Sequence, residues 1–339
     1  MSATAGHAAE TATAAALVGA RGLWPMLGGL VRRAIAILLA LHPLGALLVL
    51  GWLMRLMRDE AALNRRMQAA DLGPRRAPLP SLVMADPAPG RGWLMRQIGG
   101  LWLNLRDGVA ALVTTTLGTL PFTALWLMSW WGGWENSFNK GYEQSWIGPS
   151  LGLLGTALAL PLLTRLPMAL AHQAAEGRMS AFFARHPVAR LIRAAGWRYA
   201  VLAVLSALAA LPLFALQGMP VFFEDWSPGF VDRDPEDVQT FIAGYRLVAT
   251  AYLVLVLIAL RRMAARLHAR ASLIVEAGGP ARGTARRLGA WACVAVCWAA
   301  WFAVVAQVFV AQFLNHQWVV WFIPPLSGLP FFAPLTPLP

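Results

Sequence analysis

Long apolar runs alternate with short polar stretches along almost the whole chain of 339 residues. A helix needs about 20 apolar residues to cross a bilayer core about 30 Å thick. Six stretches reach this length without a single aspartate or glutamate: 34–54, 109–131, 148–171, 199–222, 240–260 and 289–314. The pattern therefore predicts an all-α fold, a polytopic transmembrane helical bundle with about six membrane segments.

The first segment allows two interpretations. Arg32 and Arg33 precede it and Arg55 and Arg58 follow it, so both flanks favour the cytoplasmic side. We expect a full span with the N-terminus outside. The alternative is a re-entrant hairpin that turns at residues 42–45, where a proline and a glycine favour a break.

The charges of the connecting loops predict an orientation. Loops 55–107, 172–198 and 261–288 are rich in arginine, whereas loops 132–147 and 223–239 carry more acidic than basic residues. Cytoplasmic loops of membrane proteins are enriched in arginine and lysine. The alternation predicts a bacterial inner (cytoplasmic) membrane protein whose C-terminus is periplasmic.

The same pattern divides the chain into five parts. We expect a partly disordered tail over 1–33, the first membrane segment over 34–54 and a basic cytoplasmic loop over 55–107. A five-helix membrane bundle follows over 108–314, and 315–339 forms an apolar, proline-rich outer tail.

Two stretches of the basic loops predict helices that lie on the membrane surface. Residues 92–106 mix tryptophan and leucine with arginine, and residues 177–198 carry apolar side chains that include Phe182, Leu191 and Ile192. Residues 71–91 are proline-rich and predict an irregular linker. Because most of the net charge of +12 lies in such loops beside the membrane, we expect anionic lipids and no nucleic acid as its partners.

Two short motifs at equivalent places suggest an internal duplication. Leu120-Pro121 and Leu211-Pro212 each lie in a helix that runs outwards and is followed by a helix that runs inwards. This arrangement is consistent with two duplicated helical hairpins, although chance similarity in a Leu/Ala-rich chain is the other explanation.

Two arginines inside predicted spans are the candidate ligand-binding residues. Arg165 lies between Pro161 and Pro167, and Arg246 lies near the outer end of the fifth span. Intramembrane charge is a functional hypothesis by default, so Arg165 is a candidate for an anion or a lipid headgroup. The alternative is that both side chains extend to the interface or bind freed backbone carbonyls.

The outer side offers apolar contact surface rather than chemistry. Candidate partner or lipid contacts are tryptophans at the outer helix ends and a small-residue stripe on the sixth segment: Trp130, Trp131, Trp134, Trp318, Trp321, Ala295, Ala299 and Ala303. The acidic stretch 232–237 predicts the start of the fifth helix, with Asp234 as N-cap and Pro235 at the first helical position. We expect no metal, no cofactor and no enzymatic activity, because no catalytic motif is present.

Several short sequences resemble a family of uncharacterised prokaryotic multi-span membrane proteins, known as a domain of unknown function. They are GWLMRLMR at 51–58, Leu79-Pro80, RDGVAAL at 106–112, and AEGRMSAFF followed by VARLIRAAGWRY within 175–199. The resemblance covers about residues 50–220. It implies a membrane bundle and no particular activity.

These features together predict a non-enzymatic scaffold, assembly or accessory subunit of a larger inner-membrane complex, for which a respiratory or photosynthetic complex would be suitable. A channel or carrier for anions or lipids, built on Arg165 and the proline-kinked helices, is the alternative hypothesis.

Overall fold

The computed structural model describes residues 23–82, 92–138, 146–218, 234–278 and 330. Seven α-helices make up most of these ranges: α1 (Leu23–Ala40), α2 (Pro43–Ala69), α3 (Trp93–Phe138), α4 (Ile147–Glu176), α5 (Arg185–Ala195), α6 (Trp197–Gly218) and α7 (Pro235–Glu276). A 3₁₀ turn, Met179–Ala181, lies between α4 and α5. The described part of the chain is thus all-helical, as predicted.

Three of these helices are long and apolar enough to cross a membrane. They are α3 over Trp93–Leu125, α4 over Ser150–Glu176 and α7 over Glu236–Glu276. The pair α5–α6 counts as a fourth candidate if its 101° bend lies within one span. The predicted sixth segment, 289–314, lies outside the described residues.

The first predicted segment, 34–54, is not one continuous helix. The chain breaks at residues 41–42, Pro43 begins α2, and the His42 side chain accepts a hydrogen bond from the Leu44 backbone N–H. The Arg32 guanidinium and the Trp52 indole, each about ten residues from the break, donate to the successive carbonyls of Leu79 and Pro80. The two arms therefore lie antiparallel side by side, as in the hairpin alternative.

Helices α2 and α3 approach each other unusually closely. A Cβ added at Gly51 would overlap the Asn104 carbonyl, and one added at Gly108 would overlap the Leu47 carbonyl. Because neither glycine has a side chain, the two backbones come into direct contact. This contact fixes the hairpin arm α2 against the first candidate span.

The two predicted surface helices are placed differently from the prediction. Residues 93–106 form the start of the long helix α3 and not a separate helix. In α5 the apolar residues Val188, Leu191 and Ile192 are buried in a core shared with α2, α4 and α7, together with Phe182 from the preceding turn. The apolar face of α5 had neighbouring helices to cover it, so it does not face lipid.

The structure confirms the predicted start of the last described helix. Asp234 is the N-cap of α7 and its carboxylate accepts a hydrogen bond from the Glu236 backbone N–H at 3.0 Å. Pro235 occupies the first helical position, where its missing N–H costs nothing.

Candidate functional site

Many of the polar side chains of the described helices lie at one end of the bundle, which we call the arginine-rich end. It comprises residues 55–82, the C-terminal part of α4, helix α5 and residues 261–276 of α7. Two groups of polar residues lie within it, together with the single arginines Arg261 and Arg165.

The first group is built on Glu60, which is fully buried on α2. Its Oε1 accepts a hydrogen bond from Arg266 Nε at 2.6 Å, and its Oε2 lies 3.8 Å from Arg262 Nη1. The Ala77 backbone N–H donates to Oε2 at 3.0 Å. A buried carboxylate is tolerated only when it is paired and hydrogen-bonded, and here its partners come from two other parts of the chain. Glu60 therefore joins α2, α7 and the segment around Ala77.

That segment, residues 72–82, runs back along α2 and was predicted as an irregular linker. Asn64 exchanges two hydrogen bonds with the Arg75 backbone, and Trp52 Nε1 donates to the Pro80 carbonyl at 2.8 Å. Asn104 Nδ2 of α3 donates to the Leu82 carbonyl at 2.6 Å. The backbone polar groups of residues 72–82 are thus bound by side chains of the bundle, so this extended segment can pack without secondary structure. We call residues 72–82 the strap.

The second group is a histidine pair between α4 and α7. His172 Nδ1 and His268 Nε2 lie 3.2 Å apart, so one imidazole donates a hydrogen bond to the other. Next to it, Thr114 donates to Gln173 Oε1 at 2.9 Å. Within the described ranges no three metal-ligating side chains come together, so the pair has no further ligand for a metal ion there. The sequence analysis did not find this pair because 96 residues separate its members.

Arg261 of α7 is a buried guanidinium whose contact with the described residues is to a thioether. It is 7% exposed, and its Nη1 contacts the thioether sulfur of Met57 at 3.8 Å. A guanidinium has five N–H donors and a thioether is only a weak acceptor. Arg261 therefore retains donors that an anion or water can use.

Arg165, the main candidate from the sequence, lies on α4 beside α5. Its Nη2 donates to the Arg185 carbonyl at 3.4 Å, while its Nε is buried and has no hydrogen-bond partner among the described residues. Pro161 and Pro167 both lie inside α4, as the sequence requires. The structure places Arg165 among the helices α4, α5 and α6, where it forms no ion pair with any described residue.

Arg246, the second candidate, contacts the break between α1 and α2. Its Nη2 donates to the Leu41 carbonyl at 3.4 Å. The last carbonyls of a helix have no partner within the helix, so this arginine helps to satisfy the C-terminal end of α1. Like Arg165, it has a buried Nε without a hydrogen bond to the described residues, and it differs in that the carbonyl it binds lies at the end of a helix.

The candidate contact residues divide between α3 and the part of the chain outside the described ranges. Helix α3 includes positions 130, 131 and 134, but only its backbone is described there. Trp318, Trp321, Ala295, Ala299 and Ala303 lie outside the described residues. They stay predictions.

Comparison with known proteins adds no relative. No family model matches the sequence, and neither a curated protein nor a solved structure matches it. The described helices define a helical protein compatible with a membrane, and the resemblance noted from the sequence stays a prediction.

Proposed function

We propose that this chain is a non-enzymatic scaffold, assembly or accessory subunit of a larger complex in a bacterial inner membrane. The observation that supports this function best is an exposed apolar surface at the start of α3. Trp93, Leu94, Met95 and Ile98 are all more than half exposed.

The first turns of α3 lie beside the arginine-rich part of α2, and this position argues against simple contact with lipid tails. Asn104 of α3 accepts a hydrogen bond from Arg55 at 3.1 Å, and Arg55 is where α2 changes from apolar to arginine-rich. Trp93 precedes Asn104 by 11 residues, which is about 16 Å along a helix. Since α2 and α3 run antiparallel, the first turns of α3 extend to the level of the arginines.

The simplest explanation for an apolar patch at the level of the arginines is that a partner protein covers it. Exposed apolar patches rimmed by polar residues mark interaction sites on proteins. Arg96 and Arg106 lie within and beside this patch and supply such a rim. A membrane protein partner that covers Trp93, Leu94 and Met95 would remove this apolar surface from water.

The proposal includes a finer topology, which follows the sequence prediction except at the first segment, where it takes the re-entrant alternative. In it, the arginine-rich end is cytoplasmic. Helices α1 and α2 form a re-entrant hairpin whose break, at the level of Arg246, lies within the membrane. The arrangement has six membrane segments and a periplasmic C-terminus. It also contains two helical hairpins that are duplicates of each other.

The test is site-specific crosslinking in native membranes. A photoreactive amino acid replaces Met95 in one variant and Arg190 in another, since both residues are exposed at the arginine-rich end. We expect a specific protein adduct from position 95 and none from position 190, with the same partner recovered in stoichiometric amount by purification in a mild detergent. A protein that purifies alone and yields only lipid adducts at position 95 would refute the proposal.

A channel or carrier for anions is the second candidate, and Arg261 is the observation that favours it. A buried guanidinium whose described contact is a thioether can bind a passing anion. Proteoliposomes with the wild type, Arg261→Met and Arg190→Met distinguish the two functions. Chloride or phosphate flux that is lost only in Arg261→Met supports transport, whereas absence of flux in the wild type excludes it for these anions.

A further inference from the structure

Arg165 ends an exposed apolar stripe on α4. Leu154, Leu158, Pro161 and Arg165 follow one another at spacings of four, three and four residues, which places them on one helix face. The three apolar residues are all exposed. The stripe therefore runs along the outside of a candidate span and reaches the arginine at its arginine-rich end.

Arg198 ends a second stripe of the same kind on α6. Arg198, Val201, Leu205 and Leu208 follow at spacings of three, four and three residues, and the three apolar side chains are exposed. Because α4 runs towards the arginine-rich end and α6 runs away from it, both arginines stand at the same end of their stripes.

Each of the two arginines is next in sequence to a residue of one contact between α4 and α6. The Tyr199 hydroxyl donates to the Thr164 carbonyl, so the neighbours of Arg198 and Arg165 are in direct contact. Arg165 also donates to the Arg185 carbonyl at 3.4 Å, at the start of the short helix α5. Helix α5 meets α6 at 101° and so lies across the base of both stripes.

Arg165 Nε and Arg198 Nη1 are buried and make no hydrogen bond to the described residues. Arg262 and Arg266 also have such donors, but they share the Glu60 carboxylate, whereas Arg165 and Arg198 form no ion pair with a described carboxylate. Arg198 lies over the Trp197 ring at 5.7 Å, a contact that leaves its N–H edges available. A buried donor without a partner costs about 1–3 kcal/mol, so an acceptor from outside the described chain is expected.

The order of groups along the surface matches that of one ligand class. The two apolar stripes end at the guanidinium groups of Arg165 and Arg198. Half-exposed Trp197 lies beside them, and an amphipathic ring of this kind prefers the headgroup level of a membrane. An anionic phospholipid has acyl chains followed by a phosphate, and arginine binds phosphate oxygens with paired N–H donors.

The geometry points to a binding site for an anionic phospholipid, with its phosphate held by Arg165 and Arg198 and its acyl chains along the stripes of α4 and α6. The lipid belongs to the leaflet at the arginine-rich end. This site is independent of the proposed subunit role, because it lies on α4 and α6 and not on the apolar start of α3.

The experiment measures which lipids stay bound to the full-length protein. The protein is placed in nanodiscs that contain equal amounts of phosphatidylglycerol and phosphatidylcholine, and the lipids that remain on release are identified by native mass spectrometry. We expect the wild type to retain phosphatidylglycerol preferentially. Each interfacial arginine contributes about 1 kcal/mol to binding an anionic lipid, so Arg165→Gln and Arg198→Gln should each reduce the preference about fivefold.

The matched control is Arg190→Gln, which removes the same charge from the exposed face of α5. It should keep the preference of the wild type, and Arg165→Lys should keep most of it. Equal retention of both lipids by the wild type, or an equal loss in Arg190→Gln, would overturn the site. Displacement of phosphatidylglycerol by inorganic phosphate would also overturn it, because the site would then bind a soluble anion. If Arg165→Gln does not fold, Arg198→Gln gives the result alone.

Discussion

Arginines lie at two junctions of the bundle, one around Glu60 and one between α4, α5 and α6. The two junctions differ in whether a carboxylate lies beside the arginines. At Glu60, Arg262 and Arg266 share one fully buried carboxylate, and Arg262 also binds the Ala77 carbonyl of the strap at 2.9 Å. At the other junction, neither Arg165 nor Arg198 has a described carboxylate as a partner, although both junctions contain buried arginine N–H groups without a hydrogen bond to the described residues. The first set of arginines is engaged by the fold, and the second is left available to a ligand.

The difference shows that the partner, and not the residue type, decides what an arginine near a membrane does. Removing one member of a buried ion pair leaves an uncompensated charge, which is strongly destabilising. Removing an arginine that has no carboxylate partner leaves no charge unpaired. Substitutions in the two junctions should therefore separate stability from ligand binding.

Glu60→Gln should have the largest effect on stability. The substitution keeps the shape of the side chain but removes the charge that Arg266 and Arg262 share, at a cost of about 3–5 kcal/mol. We expect a large decrease in the thermal unfolding midpoint in mild detergent, or no folded protein at all. Glu276→Gln is the control, because its ion pair with Arg65 is about half exposed and such pairs contribute at most about 1 kcal/mol. Equal midpoints for the two variants would contradict the role of Glu60.

Gly51→Ala should have the next largest effect, since α2 and α3 touch there. The new Cβ would overlap the Asn104 carbonyl, and overpacking of this kind costs about 1–3 kcal/mol. Gly99→Ala on the partner helix α3 is the control, because no atom lies within 4 Å of the added Cβ. It should be neutral or slightly stabilising, because alanine favours helix more than glycine. The measurement is the unfolding midpoint of each variant. Equal midpoints for Gly51→Ala and Gly99→Ala would show that α2 and α3 do not touch.

These two predictions depend on contacts that the sequence could not supply. The hydrophobic pattern predicted helices, the candidate spans and the start of α7 at Asp234, because these features are local. Glu60, by contrast, pairs with Arg266 across 206 positions of the chain. Nothing in the local pattern distinguishes such a carboxylate from one on a solvated helix face.

The same limit explains the errors at the surface helices. The amphipathic pattern of 177–198 correctly indicated one apolar face, but it did not show whether lipid or a neighbouring helix covers that face. The structure places Val188 and Ile192 against the bundle. The strap was predicted as an irregular linker, but its packing against the bundle was not predicted, since its backbone is satisfied by side chains from distant helices and not by a regular pattern.

Arg246→Met should have a smaller effect that is confined to the hairpin. The substitution keeps the length of the side chain but removes the donor to the Leu41 carbonyl, which we expect to cost about 1 kcal/mol. Limited trypsin digestion should then cleave faster at Arg32 and Arg33 on α1, relative to Arg190→Met as a control of equal charge. An unchanged cleavage rate would show that Arg246 does not hold the end of α1.

Arg165→Gln and Arg198→Gln should have the smallest effect on stability, within about 0.5 kcal/mol of the wild type in lipid-free detergent. Neither side chain has a described ion pair, so its removal leaves no charge unpaired. Phosphatidylglycerol added to the detergent should raise the unfolding midpoint of the wild type, because a ligand that binds only the folded state stabilises it. The variants should lose this increase while Glu276→Gln keeps it. A large loss of stability without lipid would instead assign Arg165 and Arg198 to the fold, as partners of chain segments beyond α7, and the two junctions would no longer differ in kind.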